Sequence, residues 1–496
     1  MNLYRPKGLG VARQILDRAT KILVYYDPDV DGLIAGHFVV SLLKKYGKAY
    51  QYYINENRQH GMTLSDTQLE KLQGYTIIAV DFSISAEVLN KMLSYGISVV
   101  NIDHHAIAHN ELVHMQKLNS EAVVINNQYG FEPDEWRFLS GAGVVYYVLS
   151  ALFPDWGTEQ NLALVGVTLL SDIRAIENQN AYEILKVTYN WEDEYSKYLI
   201  KLAKFGSTNY QFGTQKYLDR SFIDYSLSPR FNALFRLNLG DIAVKLIEQE
   251  PMDLRKLNAM LQLPLDNTIV NLTYIVKHSK AVIAKVMENL QVLRYSGLCV
   301  CYLNELDFPC IDYNISNFVG LVAGRIREQE GLTTMVLVHN DNGIVRGSVR
   351  GLYDGVDYLN ICRKHGITCE GHLNAFGVLH CGNISFNNLS DAIQEAECGR
   401  TADLGRIIEV NNLSYQVETD NVTPEYNSFV RTSHMRYYKY IGNNYCETVH
   451  SEKYVCYDID GVTVKGYSPD LNPTNALILP VLNNGYVEHI LEKVVI

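Results

Sequence analysis

The first 185 residues predict a doubly wound parallel α/β sheet. The remainder predicts a helical region, a smaller α/β domain and a β-rich end. Strand-like and helix-like runs alternate up to about residue 185, the pattern of helices covering both faces of a parallel sheet. From about 186 to 295 the pattern turns helical and richer in charge, and after about 396 it becomes β-rich and tyrosine-rich. The expected boundaries are therefore 1–185, 186–295, 296–395 and 396–496.

Within the first segment, Lys21–Tyr26, Tyr75–Val80, Ile97–Ile102 and Asn161–Leu170 read as strands. Leu33–Tyr46, Ala86–Tyr95 and Leu139–Phe153 read as helices, the last opening on Ser140-Gly141-Ala142-Gly143, small residues that permit close packing. Ala243–Glu250 and Tyr274–Leu293 are the clearest helices of the second segment, the latter a candidate connecting helix with apolar Ile275, Val276, Val282, Ile283, Val286 and Leu290. The third segment predicts strand Gly297–Leu303, helix Ser316–Glu330, strand Thr333–Val338 and strand Ile344–Val349. Its intervening His339-Asn-Asp-Asn-Gly343 is a hairpin turn. Lys453–Lys465 and Met435–Tyr440 suggest a small barrel or sandwich.

Each predicted strand of the first segment runs into acid. Lys21–Tyr26 leads to Asp27-Pro28-Asp29-Val30-Asp31-Gly32, Tyr75–Val80 to Asp81, Ile97–Ile102 to Asp103-His104-His105, and Asn161–Leu170 to Ser171-Asp172. In an open parallel sheet the carboxyl ends of the strands share one edge, where ligands bind. Carboxylates crowded there need cations, and oxygen donors mixed with imidazole suit manganese or magnesium. Each motif alone has a plainer reading. The Asp-x-Asp-x-Asp-Gly run could be a turn or a calcium loop, but it lacks the downstream glutamate of an EF-hand. Asp81 and Asp172 could be caps, and buried histidines are often hydrogen-bonded core. The conjunction at successive strand ends points to a metal site.

Bulk properties bound the class. At 496 residues the chain is too long for one core. With 47% hydrophobic and 20% charged residues it has an ordinary globular composition. No apolar run approaches the roughly 18 residues of a membrane span, and Met1–Gly8 lacks the apolar stretch of a signal peptide. A cytoplasmic protein is expected. The 9 cysteines all lie at or beyond Cys299 without a C-x-x-C pair, which predicts reduced, mostly structural thiols. The net charge of −12 argues against long nonspecific tracking of DNA, but not against local phosphate chemistry at a cation-loaded site.

These segments resemble the DHH phosphoesterase superfamily, and more narrowly its RecJ-type single-strand nucleases, over most of residues 20–385. Asp27–Gly32 resembles the RecJ form of the first motif. Asn57-Arg58-Gln59-His60-Gly61-Met62 is loosely similar to an Arg-x-x-x-Gly-Tyr-Gly segment, and Leu139–Val144 to the helix start before the fourth motif. Asp172-Ile-Arg-Ala-Ile-Glu177-Asn178 looks like the Ala-Asp…Glu-Asn stretch with a shortened spacer. Pro229-Arg230-Phe-Asn232-Ala-Leu-Phe-Arg236 and Glu370-Gly371-His372-Leu-Asn-Ala375-Phe-Gly377 are similar to segments of the RecJ branch and of the DHH-associated domain. Two positions depart from the pattern. Glu370 stands where a glycine is usual, and Tyr25 where many members carry a histidine; Asp27 could compensate for the latter.

The resemblance implies two divalent cations, Mn2+ preferred or Mg2+. Asp81 would bridge them, with Asp29 and Asp27 on one and Asp31, His104 and Asp172 on the other. It makes Asp103 the residue that orients a histidine, and His105 a general acid or phosphate ligand. Arg346, Arg350, Gly371 and His372 would hold substrate phosphate, with Arg230 and Arg236 as candidate contacts to the nucleic-acid backbone. Tyr437, Tyr438 and Tyr440 could stack on bases or simply pack as core. The implied activity is exonucleolytic hydrolysis of single-stranded DNA, from the 5′ end, releasing 5′-mononucleotides. The alternative is a phosphodiesterase for short oligoribonucleotides or cyclic dinucleotides, which the negative charge and Glu370 favour. A third reading is a catalytically silent scaffold that binds single strands or replication proteins.

Overall fold

The structure is a computed structural model. It describes residues 5–55, 61–62, 64–105, 120–128, 134–172, 179–204, 215–251, 272–294, 298–308, 314–340, 343–351, 357–372, 375–378 and 395, together with C-terminal strand segments within 438–492. Two compact units emerge, one formed by Met1–Phe235, Leu239–Tyr274 and Val417–Ile496, the other by Arg236–Asn238 and Ile275–Gln416.

The first unit is built on a five-stranded sheet of order β2-β1-β3-β4-β5: β1 Ile22–Tyr26, β2 Tyr50–Ile54, β3 Thr76–Val80, β4 Ser98–Asp103 and β5 Ala122–Asn126. All neighbouring pairs are parallel. The inner strands β1 and β3 are buried at every position, as expected where helices cover both faces, while edge strand β2 alternates. Helices α1 Leu9–Arg18, α2 Val30–Lys45, α3 Asp66–Lys71 and α4 Ala86–Ser94 fill the crossovers. The chain reverses direction of travel between β1 and β3. A crevice at the carboxyl ends of two such strands is the general ligand position of this topology.

After β5 come α5 Gly141–Leu152, α6 Glu159–Ser171, α7 Gln179–Tyr189 and α8 Glu194–Lys204. The expected strand Asn161–Leu170 is therefore wrong: the segment lies inside α6, whose N-cap Thr158 accepts from Asn161 N. An apolar run buried nearly all round carries no period, so a buried helix and a buried strand look alike in sequence. Its ten-residue length was the clue to a helix. Further on lie α9 Ser228–Arg236, entered through a π-helical turn at Ile223–Leu227, and α10 Gly240–Ile247. A third sheet, of order β12-β16-β17-β15-β14-β13, contains β12 Tyr438–Lys439, β13 Tyr445–His450, β14 Val455–Ile459, β15 Val462–Gly466, β16 Leu477–Asn483 and β17 Tyr486–Glu492. The C-terminal region is thus β-rich; Tyr437 and Tyr440 lie outside the described residues.

In the second unit, α11 Leu272–Glu288 ends earlier than the expected helix Tyr274–Leu293. Leu293 instead belongs to β6 Gln291–Arg294, where Val292 and Leu293 pair with Cys301 and Val300 of β7 Leu298–Asn304. Strand pairing overrides the helical period there. The six-stranded sheet has order β10-β11-β9-β8-β7-β6, with β8 Thr333–Asn340, β9 Gly343–Arg350, β10 Cys369–His372 and β11 Ala375–Val378. Strands β8 and β9 form the expected antiparallel hairpin, closed by the Asn340–Gly343 pair. Helices α12 Val319–Glu330 and α13 Tyr358–Lys364 complete the unit. The cysteines Cys299, Cys301, Cys362, Cys369 and Cys456 are buried and free, and Cys446 is exposed and free.

Candidate metal centre

Register places the acids before any side chain is considered. Tyr26 pairs with Val80 and Val80 with Ile102, so Asp27, Asp81 and Asp103 leave three adjacent strands at one level. Asp29 caps α2, its Oδ1 accepting from Gly32 N at 3.0 Å. Gly32 is required by space: a Cβ there would lie 2.5 Å from Asp27 O. Asp31, in the first turn of α2, points into the amino end of α5. Its Oδ2 accepts from Gly141 N at 2.7 Å and its Oδ1 from Ala142 N at 2.9 Å. The positive end of a helix dipole thus holds one carboxylate in place. Asp81 sits at φ 69°, the left-handed region that non-glycine residues enter rarely and often at functional sites.

The geometry gathers three overlapping donor groups, each with ligand atoms within 4.8 Å of one another: Asp27, Asp29 and Asp81; Asp31, His104 and Asp172; and Asp81, Asp103, His104 and His105. His104 Nε2 lies 3.2 Å from Asp81 Oδ1 and 3.8 Å from both Asp31 Oδ2 and Asp172 Oδ2. Asp172, although it follows a helix, still arrives beside the strand ends.

Charge crowding is severe. Burial, then Asp172 and Asp29, pushes Asp31 up to about 8. Burial, then Asp31, Asp29, Asp27 and Asp172, drives Asp81 well above the carboxylate range. Asp103 behaves oppositely. Burial would raise it, but the neighbouring His105 charge and hydrogen bonds from His105, Ser83 and the His104 backbone hold it below its ordinary value. Burial opposes charge on His105, yet Asp103 at 2.8 Å outweighs it and lifts the imidazole to about 10. The donor set therefore fits divalent cations: carboxylates that repel one another, one imidazole, and a rigid cradle.

Sequence reasoning missed the polar residues that anchor Asp103. Ser83 Oγ donates to its Oδ2 at 2.6 Å, and Asn126 Nδ2 reaches the same oxygen at 3.3 Å and His105 O at 2.9 Å. Asn126 ends β5 at the level of Asp103. A polar residue at the end of one more apolar strand was the available signal.

Other expected site residues are placed elsewhere. Arg230 is buried in the first unit, where Nη1 donates to Ser226 O and Oγ, both at 2.8 Å, and Nη2 to Thr273 Oγ1 at 3.3 Å. The guanidinium braces the π-turn before α9, which corrects its expected place on a nucleic-acid surface. Arg236 is likewise buried, and its carbonyl accepts from Asn317 Nδ2 at 3.1 Å. Arg346 and Arg350 lie on β9, opposite Val338 and Thr334. Arg350 Nη1 donates to Ser348 Oγ and Val349 O, both at 2.8 Å. Gly371, at φ 134°, closes β10 onto β11; a Cβ there would lie 2.7 Å from Ala375 O. His372 pairs with Ala375 through its backbone.

A parallel sheet with an acid-and-histidine edge at its switch point defines the class. Residues 21–169 match the DHH family, N-terminal domain, and this part of the chain belongs to that family. Within it the relatives are of RecJ type. The chain is 23% identical over 395 residues to the single-stranded-DNA-specific exonuclease RecJ of Bacillus subtilis (strain 168), covering 76% of this chain and 46% of that protein. It superposes on RecJ of Thermus thermophilus in complex with Mn2+ with a TM-score of 0.65 at 18% identity, over 99% of this chain and 71% of that one. The Mg2+ complex of the same protein gives 0.58 at 17% identity, over 99% and 70%. The fold is thus RecJ-like, and the chain spans about half the length of the curated relatives it matches.

Proposed function

We propose that this chain is a divalent-cation-dependent phosphodiesterase of RecJ type, removing 5′-mononucleotides from the 5′ end of single-stranded DNA. The observation that carries the reading is the meeting of Asp27, Asp29 and Asp81 with Asp31, His104 and Asp172 at the switch point of a DHH-family domain. The RecJ structures in complex with Mn2+ and Mg2+ support those two ions as cofactors here. One would rest on Asp27 and Asp29, the other on Asp31, His104 and Asp172, with Asp81 shared. Bound there, the ions would polarise the phosphate and activate water for in-line displacement. His105, oriented by Asp103, donates a hydrogen bond or proton toward the phosphate. Arg346, Arg350, Gly371 and His372 are proposed to hold substrate phosphate. The chain carries no described helix long and apolar enough to cross a membrane.

The deciding assay is a time course with manganese on end-labelled single-stranded DNA, single-stranded RNA and a dinucleotide. Mononucleotide release from the DNA 5′ end is the expected result. Turnover of the dinucleotide alone would move the protein to the small-substrate phosphodiesterase reading, which its net charge of −12 favours.

A second expectation concerns pH. Asp31 is raised from 3.8 to about 8 in the folded protein, so its stabilising contribution is full below about pH 4 and is lost as pH rises through 8. The chelated protein should therefore melt lower at pH 8 than at pH 6. Added Mn2+ should raise the melting temperature more at pH 8, because the ion binds the deprotonated form. Differential scanning fluorimetry at both pH values reads this directly. An equal Mn2+ shift at pH 6 and pH 8 would contradict the charge-crowded cluster.

A further inference from the structure

The chain is strongly acidic, yet one open cavity of about 510 Å3 in the first unit is lined by Lys197, Lys201, Lys204 and Lys216, with Glu192 the one carboxylate among its lining residues. Lys197, Lys201 and Lys204 follow the i, i+4, i+7 spacing along α8, so they share one helix face. Like charges at that spacing destabilise a helix unless something of opposite sign meets them. The acids nearby are largely committed elsewhere. Asp193 Oδ1 accepts from Ser196 N at 2.8 Å as a cap, and exposed Glu194 pairs with exposed Lys197 at 2.8 Å. Lys201 has no ion pair among the described residues.

The wall opposite α8 is fixed. Lys204 Nζ donates to Gln215 O at 3.4 Å. Gln215, 4% exposed, is itself tied by Nε2 to Tyr217 O at 2.5 Å and Asp219 Oδ2 at 3.0 Å. Beside it, Tyr217 stacks on Tyr189 with ring centroids 5.0 Å apart and planes at 12°. Cationic side chains flanked by aromatic rings are the usual composition of a surface that tracks a single strand. None of the cavity's lining residues belongs to the carboxylate groups.

We propose that this lysine-lined cavity is a second phosphate site, which takes the phosphodiester backbone of single-stranded DNA away from the metal centre. The proposal rests on nucleic acid being the substrate. It also answers the objection raised by the net charge, since a local positive face can hold a strand on an acidic protein.

The test is fluorescence anisotropy with a labelled oligodeoxythymidylate of roughly 20 nucleotides, on the full chain in chelator, across a salt series. The parent is compared with Lys197→Ala/Lys201→Ala/Lys204→Ala. Each phosphate contact to a single strand contributes about 0.7 to the slope of log K against log salt, so the triple variant should lose about 2 in slope. Its turnover of a dinucleotide with Mn2+ should equal the parent's, and the matching triple arginine variant should keep the parental slope. Unchanged slope and affinity in the alanine variant would overturn the proposal. So would competition by inorganic pyrophosphate at concentrations where the oligonucleotide itself is only half bound, which would mark a site for free phosphates. Should the parent cleave nothing while the slope still falls in the variant, the strand site stands and the catalytic reading alone fails.

Discussion

Asp81→Asn should lower manganese-dependent turnover at least about 10³-fold, a loss of about 4 kcal/mol in transition-state stabilisation, while making the chelated protein more stable. Asp81 belongs to two of the three donor groups, so its loss weakens both proposed cation positions. Asparagine is the informative replacement because it tolerates the left-handed backbone at φ 69°, where alanine would add strain of its own. The stability gain follows from the same crowding that suits the site to cations. The Asp81 carboxyl is raised well above its ordinary 3.8 by burial and by Asp31, Asp29, Asp27 and Asp172. Its cost to the metal-free fold is therefore felt above pH 4 and grows as pH rises. The variant should melt higher than the parent at pH 8 in chelator, by about 2–4 °C for each kcal/mol relieved, and equally near pH 4. Mn2+ should close the gap by stabilising the parent more. Parental turnover in this variant would remove Asp81 from the chemistry. A melting temperature lower than the parent's in chelator would show that the carboxylates do not repel as argued.

The part of the site that can be read from sequence is the part set by backbone level. Asp27, Asp81 and Asp103 each end an apolar run, and in a parallel sheet such ends lie side by side whatever the intervening chain does. The same logic placed Asp172 correctly for a wrong reason, since it leaves helix α6 and not a strand. Burial on all sides erased the period that would have distinguished the two. Ser83 and Asn126 escaped because nothing local marks them. They matter only through Asp103, which reaches them across the sheet edge. Arg230 shows the opposite failure. An arginine in a nuclease-like segment suggests phosphate, yet its guanidinium is used inside the fold on Ser226 and Thr273. Motif resemblance reports residue identity, whereas burial is settled by packing.

Gly141→Ala should reduce turnover about 100-fold, although helix propensity alone favours the substitution by about 1 kcal/mol. Gly141 opens α5 and carries one of the two amides that hold Asp31. A Cβ at this position would lie 2.2 Å from Asp81 Oδ1, 2.6 Å from its Cγ and 2.8 Å from its Cβ. The short aspartate cannot swing clear without leaving the place where both donor groups share it. Either it moves, or α5 retreats and takes its amides from Asp31. Both routes displace a ligand by about 1 Å, enough to cost about two orders of magnitude where reacting groups must be held in line. Gly324→Ala, in α12, is the control. It has no atom within 4 Å of the added carbon, and it should gain about 0.5–1 kcal/mol in stability with turnover unchanged. A manganese titration of turnover in the two variants separates the effects. A rightward shift in half-saturating Mn2+ for Gly141→Ala alone is the expected result. Parental activity there would mean that the close approach of α5 to Asp81 has no part in catalysis, because the backbone could yield at no cost to the ligands it carries.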